Sequence, residues 1–131
     1  MIRCVRMWTG DDGNSLFEEG TIALSPSASQ RGDAVGQSIQ VTSLSFQETA
    51  AGGSFAWHQD PVPRFVLMLA GTIEFETASG ATFTLNPGDV LLAQDNTGSG
   101  HRWRLIGDAP WRRAYVVYDE NADLQFQPGS N

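Results

Sequence analysis

With 131 residues, 40% of them hydrophobic and 18% charged, the chain has the size and composition of one soluble globular domain and not of a disordered segment. Its net charge of −7 opposes phosphate backbones and anionic headgroups, so no nucleic-acid partner and no membrane surface is expected. A lone cysteine, Cys4, permits no internal disulfide, no apolar segment follows Arg3 and Arg6 as in a signal peptide, and nothing reaches membrane-spanning length; a cytoplasmic setting is expected.

The dominant period along the chain is two. Arg3, Arg6 and Trp8 suggest an N-terminal strand docking on a sheet, either its own or a neighbouring subunit's. Gly10 to Asn14 reads as a loop, Thr21 to Leu24 as a possible strand, and Ser25 to Gly36 as a polar loop. Ser38 to Phe46 alternates with one change of phase, the signature of a strand carrying a bulge. Phe65 to Ala70 is a continuous apolar run, long enough for a buried strand. After Gly71-Thr72, Ile73 to Glu76 alternates cleanly with both glutamates on one face. Ala81 to Leu85 follows the turn at Ala78-Ser79-Gly80, and Val90 to Ala93 follows Asn86-Pro87-Gly88-Asp89, where proline presets φ. His101 to Ile106 and Trp111 to Tyr118 complete the set, and the polar tail from Asp119 is expected to fray. Short strands punctuated by glycine and proline, with no sustained helical period, predict an all-β sandwich or barrel.

The two histidines, His58 and His101, each stand at the mouth of a strand-like run. Residues two apart in a strand face the same side, so His58 and Asp60 aim at one point, and Arg64 shares their parity. His101, entering on a second strand, is placed to meet them. The pattern predicts a polar pocket.

The same residues resemble the two motifs of the cupin superfamily. Gly52, His58, Asp60, Arg64 and Gly71 fall on the first motif's glycine, histidine, second histidine, glutamate and glycine positions. Pro87-Gly88-Asp89, Gly98 and His101 match the second. Asp60 replaces a histidine, Arg64 replaces the glutamate, the loop Gln94 to Gly100 lacks the usual proline, and Leu105 stands where asparagine is frequent. The resemblance implies a single-domain jelly-roll β-barrel, the cupin-type double-stranded β-helix. It would occupy residues 1–131, with the barrel motifs within about 38–118, an N-terminal arm and a short polar tail. It also implies a small-molecule ligand and a homodimer, for which Trp111, Tyr115 and Val117 are candidate apolar contacts.

In metal-binding cupins the motif positions supply the ligands. Here His58, Asp60 and His101 offer a two-histidine, one-carboxylate set suited to Fe, Mn, Ni or Zn, which would serve a dioxygenase or isomerase. Against this, a guanidinium at Arg64 about 5 Å from a divalent ion is opposed by roughly 6–7 kcal/mol at an effective dielectric near 20. That is a large share of the roughly 10–16 kcal/mol apparent for strong zinc sites. The metal-free pocket is therefore preferred, with Arg64 either neutralising Asp60 or holding a small organic anion. His58 and His101 are the candidate acid–base groups, and Asp60, Arg64, Met68 and Trp103 the candidate ligand contacts. Val66, Phe75 and Phe83 or Leu85 are expected to wall the barrel. A third reading is a non-enzymatic regulatory or structural module. Asp95 and Gln94 are read as a solvated turn before a rim to the pocket, and Arg102, Arg104, Arg112 and Arg113 as cross-strand partners of Glu74 and Glu76.

Overall fold

The computed structural model describes residues 1–28 and 31–129. Ser29 and Gln30 of the expected polar loop, and Ser130 and Asn131 of the tail, lie outside the described residues. The described residues contain strands and no helix. In chain order the strands are β1 (Arg3–Thr9), β2 (Ser15–Ile22), β3 (Ser25–Pro26), β4 (Ala34–Val35), β5 (Val41–Thr49), β6 (Ser54–His58) and β7 (Arg64–Ala70). They continue with β8 (Thr72–Thr77), β9 (Thr82–Leu85), β10 (Val90–Gln94), β11 (His101–Ile106), β12 (Trp111–Tyr118) and β13 (Phe126–Pro128).

A seven-stranded sheet in the order β13-β2-β1-β10-β7-β12-β5 faces a four-stranded sheet in the order β6-β11-β8-β9. This is an all-β sandwich of the kind strand spacing predicts, and the jelly roll that the motif resemblance implies. Strand β8 shows how sequence becomes layer. Ile73, Phe75 and Thr77 are buried, while Glu74 and Glu76 point out and pair with Arg104 and Arg102 of β11, each at 2.9 Å. The inward faces of both sheets meet in a core that includes Val5, Met7, Val66, Met68, Ile73, Phe75, Leu85 and Leu91.

Two expectations about elements are corrected and a third is narrowed to one of its alternatives. The possible strand at Thr21 to Leu24 is the end of the longer β2, whose Ser15, Phe17 and Glu19 alternate inward opposite β1. The tail does not simply fray, because β13 pairs antiparallel with β2 at Phe126↔Ile22. The N-terminal strand docks within its own chain, parallel to β10 and antiparallel to β2. Arg3 fixes it there by bonding Glu19 at 2.6 Å and the turn residue Asp89 at 3.0 Å. Asp89 also accepts the Asn86 backbone N–H at 2.9 Å, so the Pro87-Gly88-Asp89 turn is a structural clasp.

Candidate functional site

The two motifs converge because two strands and one loop are stitched together. His101 of β11 lies opposite His58 of β6 in the ladder, with ring centroids 4.5 Å apart. Gly100 makes the approach possible. Its φ of +70° is left-handed, and a Cβ there would collide with the carbonyl oxygen of His58. Asp60, beyond the end of β6, is drawn in by its backbone N–H donating to the Asp95 carbonyl at 3.3 Å and by Asn96 donating to its own carbonyl at 3.0 Å. Arg64 enters from the first position of β7.

Behind His101 lies a carboxylate that the sequence reading assigned to a solvated turn. Asp95 is fully buried, and its Oδ2 accepts from the Ser15 hydroxyl at 2.8 Å and from His101 Nδ1 at 2.6 Å. The correction has a legible cause: Asp95 continues the inward parity of Leu91 and Ala93 as β10 ends. Burial pushes the Asp95 carboxyl up, but the bonds from His101 and Ser15 outweigh it and hold the group below its ordinary value. Asp60 goes the other way. Burial, reinforced by the neighbouring Asp95 carboxylate, pushes it up to about 7 despite the opposing pull of His101 and Arg64.

Both imidazoles are oriented by a bond at Nδ1. His58 Nδ1 donates to the Ala56 carbonyl at 2.8 Å, and His101 Nδ1 donates to Asp95. Each ring thereby keeps the Nε2 lone pair for the pocket. Burial lowers the His58 pKa, which keeps that ring neutral at neutral pH. One ligand atom from each of His58, Asp60 and His101 lies within 4.8 Å of the others. As a donor set the three fit a divalent ion, and the bonds to Ala56 and Asp95 are the kind that orient metal-bound imidazoles. The spacing is open. Asp60 Oδ1 stands 3.9 Å from His101 Nε2, against roughly 3.0–3.5 Å between ligand atoms of a formed site.

Arg64 does not make the tight pair with Asp60 that a purely structural role requires. Its Nη2 is 3.9 Å from Asp60 Oδ1, beyond hydrogen-bonding range, and its buried Nε has no partner among the described residues. Its guanidinium instead stacks on Tyr115, with Cζ 3.8 Å from the ring centroid.

These groups line a cavity of about 360 Å³. Trp103, Val66 and Phe75 are on its wall. Met68 is not: it is buried in the core, its sulfur accepting the Trp111 indole N–H at 3.1 Å. Phe83 and Leu85 also pack in the core below, because Phe75 stacks over Phe83 at 5.1 Å between centroids and fills the wall position. Tyr115 and Arg113 are wall residues that the sequence reading placed elsewhere. Tyr115 and Trp111 face inward and not toward a partner, and Arg113 joins no glutamate ladder; Arg112 pairs with Glu48 at 2.6 Å instead. The signal was available in part, since Arg113 shares the parity of Trp111 and Tyr115.

A two-sheet jelly roll with two facing histidines at one end of the barrel defines a class, and sequence comparison names it. The cupin-domain family model matches residues 45–118, and the chain belongs to the cupin family. No curated protein matches it. Among solved structures, it is similar to an uncharacterized conserved protein with a double-stranded β-helix domain from Klebsiella pneumoniae, at 16% identity over 86% of this chain and 85% of that one, with a TM-score of 0.48. It is also similar to the cupin domain of Cnp3 from Schizosaccharomyces pombe, at 17% identity over 76% of this chain and 84% of that one, with a TM-score of 0.45.

Proposed function

We propose that the chain is a small-molecule-binding cupin whose pocket holds an organic anion through Arg64. The observation that carries this reading is the state of Arg64: mostly buried, stacked on Tyr115, within 3.9 Å of Asp60 yet making no hydrogen bond among the described residues. A buried guanidinium with its fork unused is arranged for a carboxylate or phosphate. His101 supplies an acid–base group beside that anion. Asp95 fixes the Nδ1 proton, so Nε2 accepts a proton from a bound ligand, and the resulting imidazolium is stabilised by the carboxylate behind it. The test is calorimetric titration of small organic acids. Binding that is lost in Arg64→Ala, with the fold intact by circular dichroism, is the expected result; binding unchanged by that substitution refutes the role of Arg64.

A metal-dependent enzyme, a dioxygenase or isomerase, is the second reading, favoured by the three donors His58, Asp60 and His101. When bound there, Fe, Mn, Ni or Zn would supply Lewis acidity. Asp60 would first give up its proton, and Arg64 would stay swung onto Tyr115. Elemental analysis of untagged protein separates the readings: near-stoichiometric metal that disappears in His101→Ala selects the second, and metal well below stoichiometry the first.

We further propose a homodimer built on the outer face of the large sheet, in place of the inward-facing Trp111 and Tyr115. Strand β5 is an unpaired sheet edge that carries Val41, Leu44 and Phe46 outward beside Leu69, and Phe46 is 72% exposed. These side chains leave on the order of 400 Å² of apolar surface per copy, within the range of largest patches that are often functional. Two such patches with their rims reach the ~1,200 Å² of a stable interface. The occupant is a second copy, because β5 has no Lys or Pro to block an edge and can pair antiparallel with itself about a two-fold axis. We propose a reducing, cytoplasmic setting on the ground that the lone Cys4 has no second cysteine to pair with.

A further inference from the structure

Arg113 is the pocket residue that the reading above leaves unused. It lies on β12 between Trp111 and Tyr115, with only 2% of its surface exposed. Its guanidinium stacks on Trp111, Cζ standing 3.5 Å from the ring centroid. Nε donates to the Tyr115 hydroxyl at 3.0 Å, and Nη1 donates to Thr49 Oγ1 at 2.7 Å and to the Trp111 carbonyl at 3.3 Å. Those bonds use three of its five N–H groups. Among the described residues Nη2 has no partner, yet it is not sealed in the core, and Arg113 lines the cavity.

The rest of the chain shows how unusual this is. Six arginines stand outside the pocket, and each meets an acidic side chain within 3.3 Å. The two that line the pocket do not. Arg64 is 3.9 Å from Asp60, and Arg113 has no carboxylate within ion-pair distance among the described residues. A fully buried guanidinium without a counter-ion, as at Arg113, is disfavoured unless something outside the protein supplies one, and Arg64 has only a loose one. The two cations flank one side chain: Arg64 Cζ is 3.8 Å from the Tyr115 ring centroid and Arg113 Cζ 5.5 Å. They are therefore no farther apart than those two distances laid end to end. Arg64 lies over the ring and Arg113 bonds its hydroxyl end, so the two cations stand on either side of the Tyr115 ring system as a pair of separate positive centres. Val66 and Leu91 of the large sheet and Phe75 of the small one line the same cavity and suit a short hydrocarbon linker.

We propose that Arg113 is a second anion anchor and that the pocket takes a small dicarboxylic acid, one carboxylate on Arg64 and the other on the free Nη2 edge of Arg113. The proposal rests on the reading of the barrel as an anion pocket and names its ligand class. A cavity of about 360 Å³ accommodates a short-chain diacid.

The experiment is isothermal titration of the full chain, in low-salt buffer at neutral pH, with succinate, glutarate and adipate against butyrate, pentanoate and hexanoate. At least one diacid should bind tenfold or more tightly than the monoacid of the same length. Arg113→Gln should bring that diacid to the monoacid's level while leaving the monoacid within about twofold. Monoacids that bind through Arg64 with no advantage for any diacid overturn the proposal and leave the anion pocket standing. A diacid advantage unchanged in Arg113→Gln overturns it too. Absence of binding by either series overturns both. If Arg113→Gln fails to fold, the paired-acid comparison on the unaltered chain decides alone.

Discussion

Asp60 and Asp95 are alike in chemistry and opposite in behaviour, and the difference lies in their donors. Asp95 accepts from a hydroxyl and an imidazole, while Asp60 Oδ2 meets no donor among the described residues. Asp60 is therefore held near 7, and the folded chain keeps a proton between about pH 4 and pH 7 that the unfolded chain has released. Stability from this residue is greatest at low pH, falls across that window and is flat above it. Asp95 acts with the other sign, its contribution present above the ordinary carboxylate range and lost in acid. The margin of wild type over Asp60→Asn, followed by urea unfolding in chelator, should shrink from pH 4 to pH 8. The change should be on the order of 3 kcal/mol. A margin independent of pH would show that Asp60 is ionised throughout.

At the scale of elements, the site depends on how closely β6 and β11 approach. Gly100 carries that approach: side-chain atoms on it meet the His58 carbonyl, and its φ is positive. Gly100→Ala should destabilise the chain by at least about 2 kcal/mol and spread the two imidazoles. Gly80 provides the control. Its φ is +87° but nothing lies within 4 Å of a Cβ there, so Gly80→Ala should cost only about 1 kcal/mol. Equal losses in denaturant midpoints would mean that the contact at Gly100 relaxes freely. Histidine, glycine and proline spacing made this convergence legible in the sequence, because turns and close approaches restrict residue type. Asp95 and Arg113 carried a signal only in their parity with Leu91 and Ala93 and with Trp111 and Tyr115, because residue type alone looks the same beside a turn or among arginines whether it faces solvent or cavity.

For the whole molecule, the large sheet has two apolar faces. One packs against the small sheet; the other is covered at Cys4, Phe65 and Leu92 and bare toward β5. Phe46→Glu places two like charges near the proposed two-fold axis and should convert a dimer to monomer in sedimentation at micromolar concentration, with the melting transition retained. A monomer in the wild type would remove the second copy from that face.

The sequence alone determined an all-β barrel, its turns and the meeting of His58, Asp60, Arg64 and His101, and its motif resemblance implied the jelly roll. Alternation and turn chemistry are local, and motif spacing reports strands that must lie side by side. Tertiary structure alone decided the partners: Asp95 behind His101, Arg64 on Tyr115 instead of Asp60, Arg113 in the cavity and Met68 beneath it. Ion pairing and burial are set by which distant side chains share a volume, and no local pattern in a single chain encodes that.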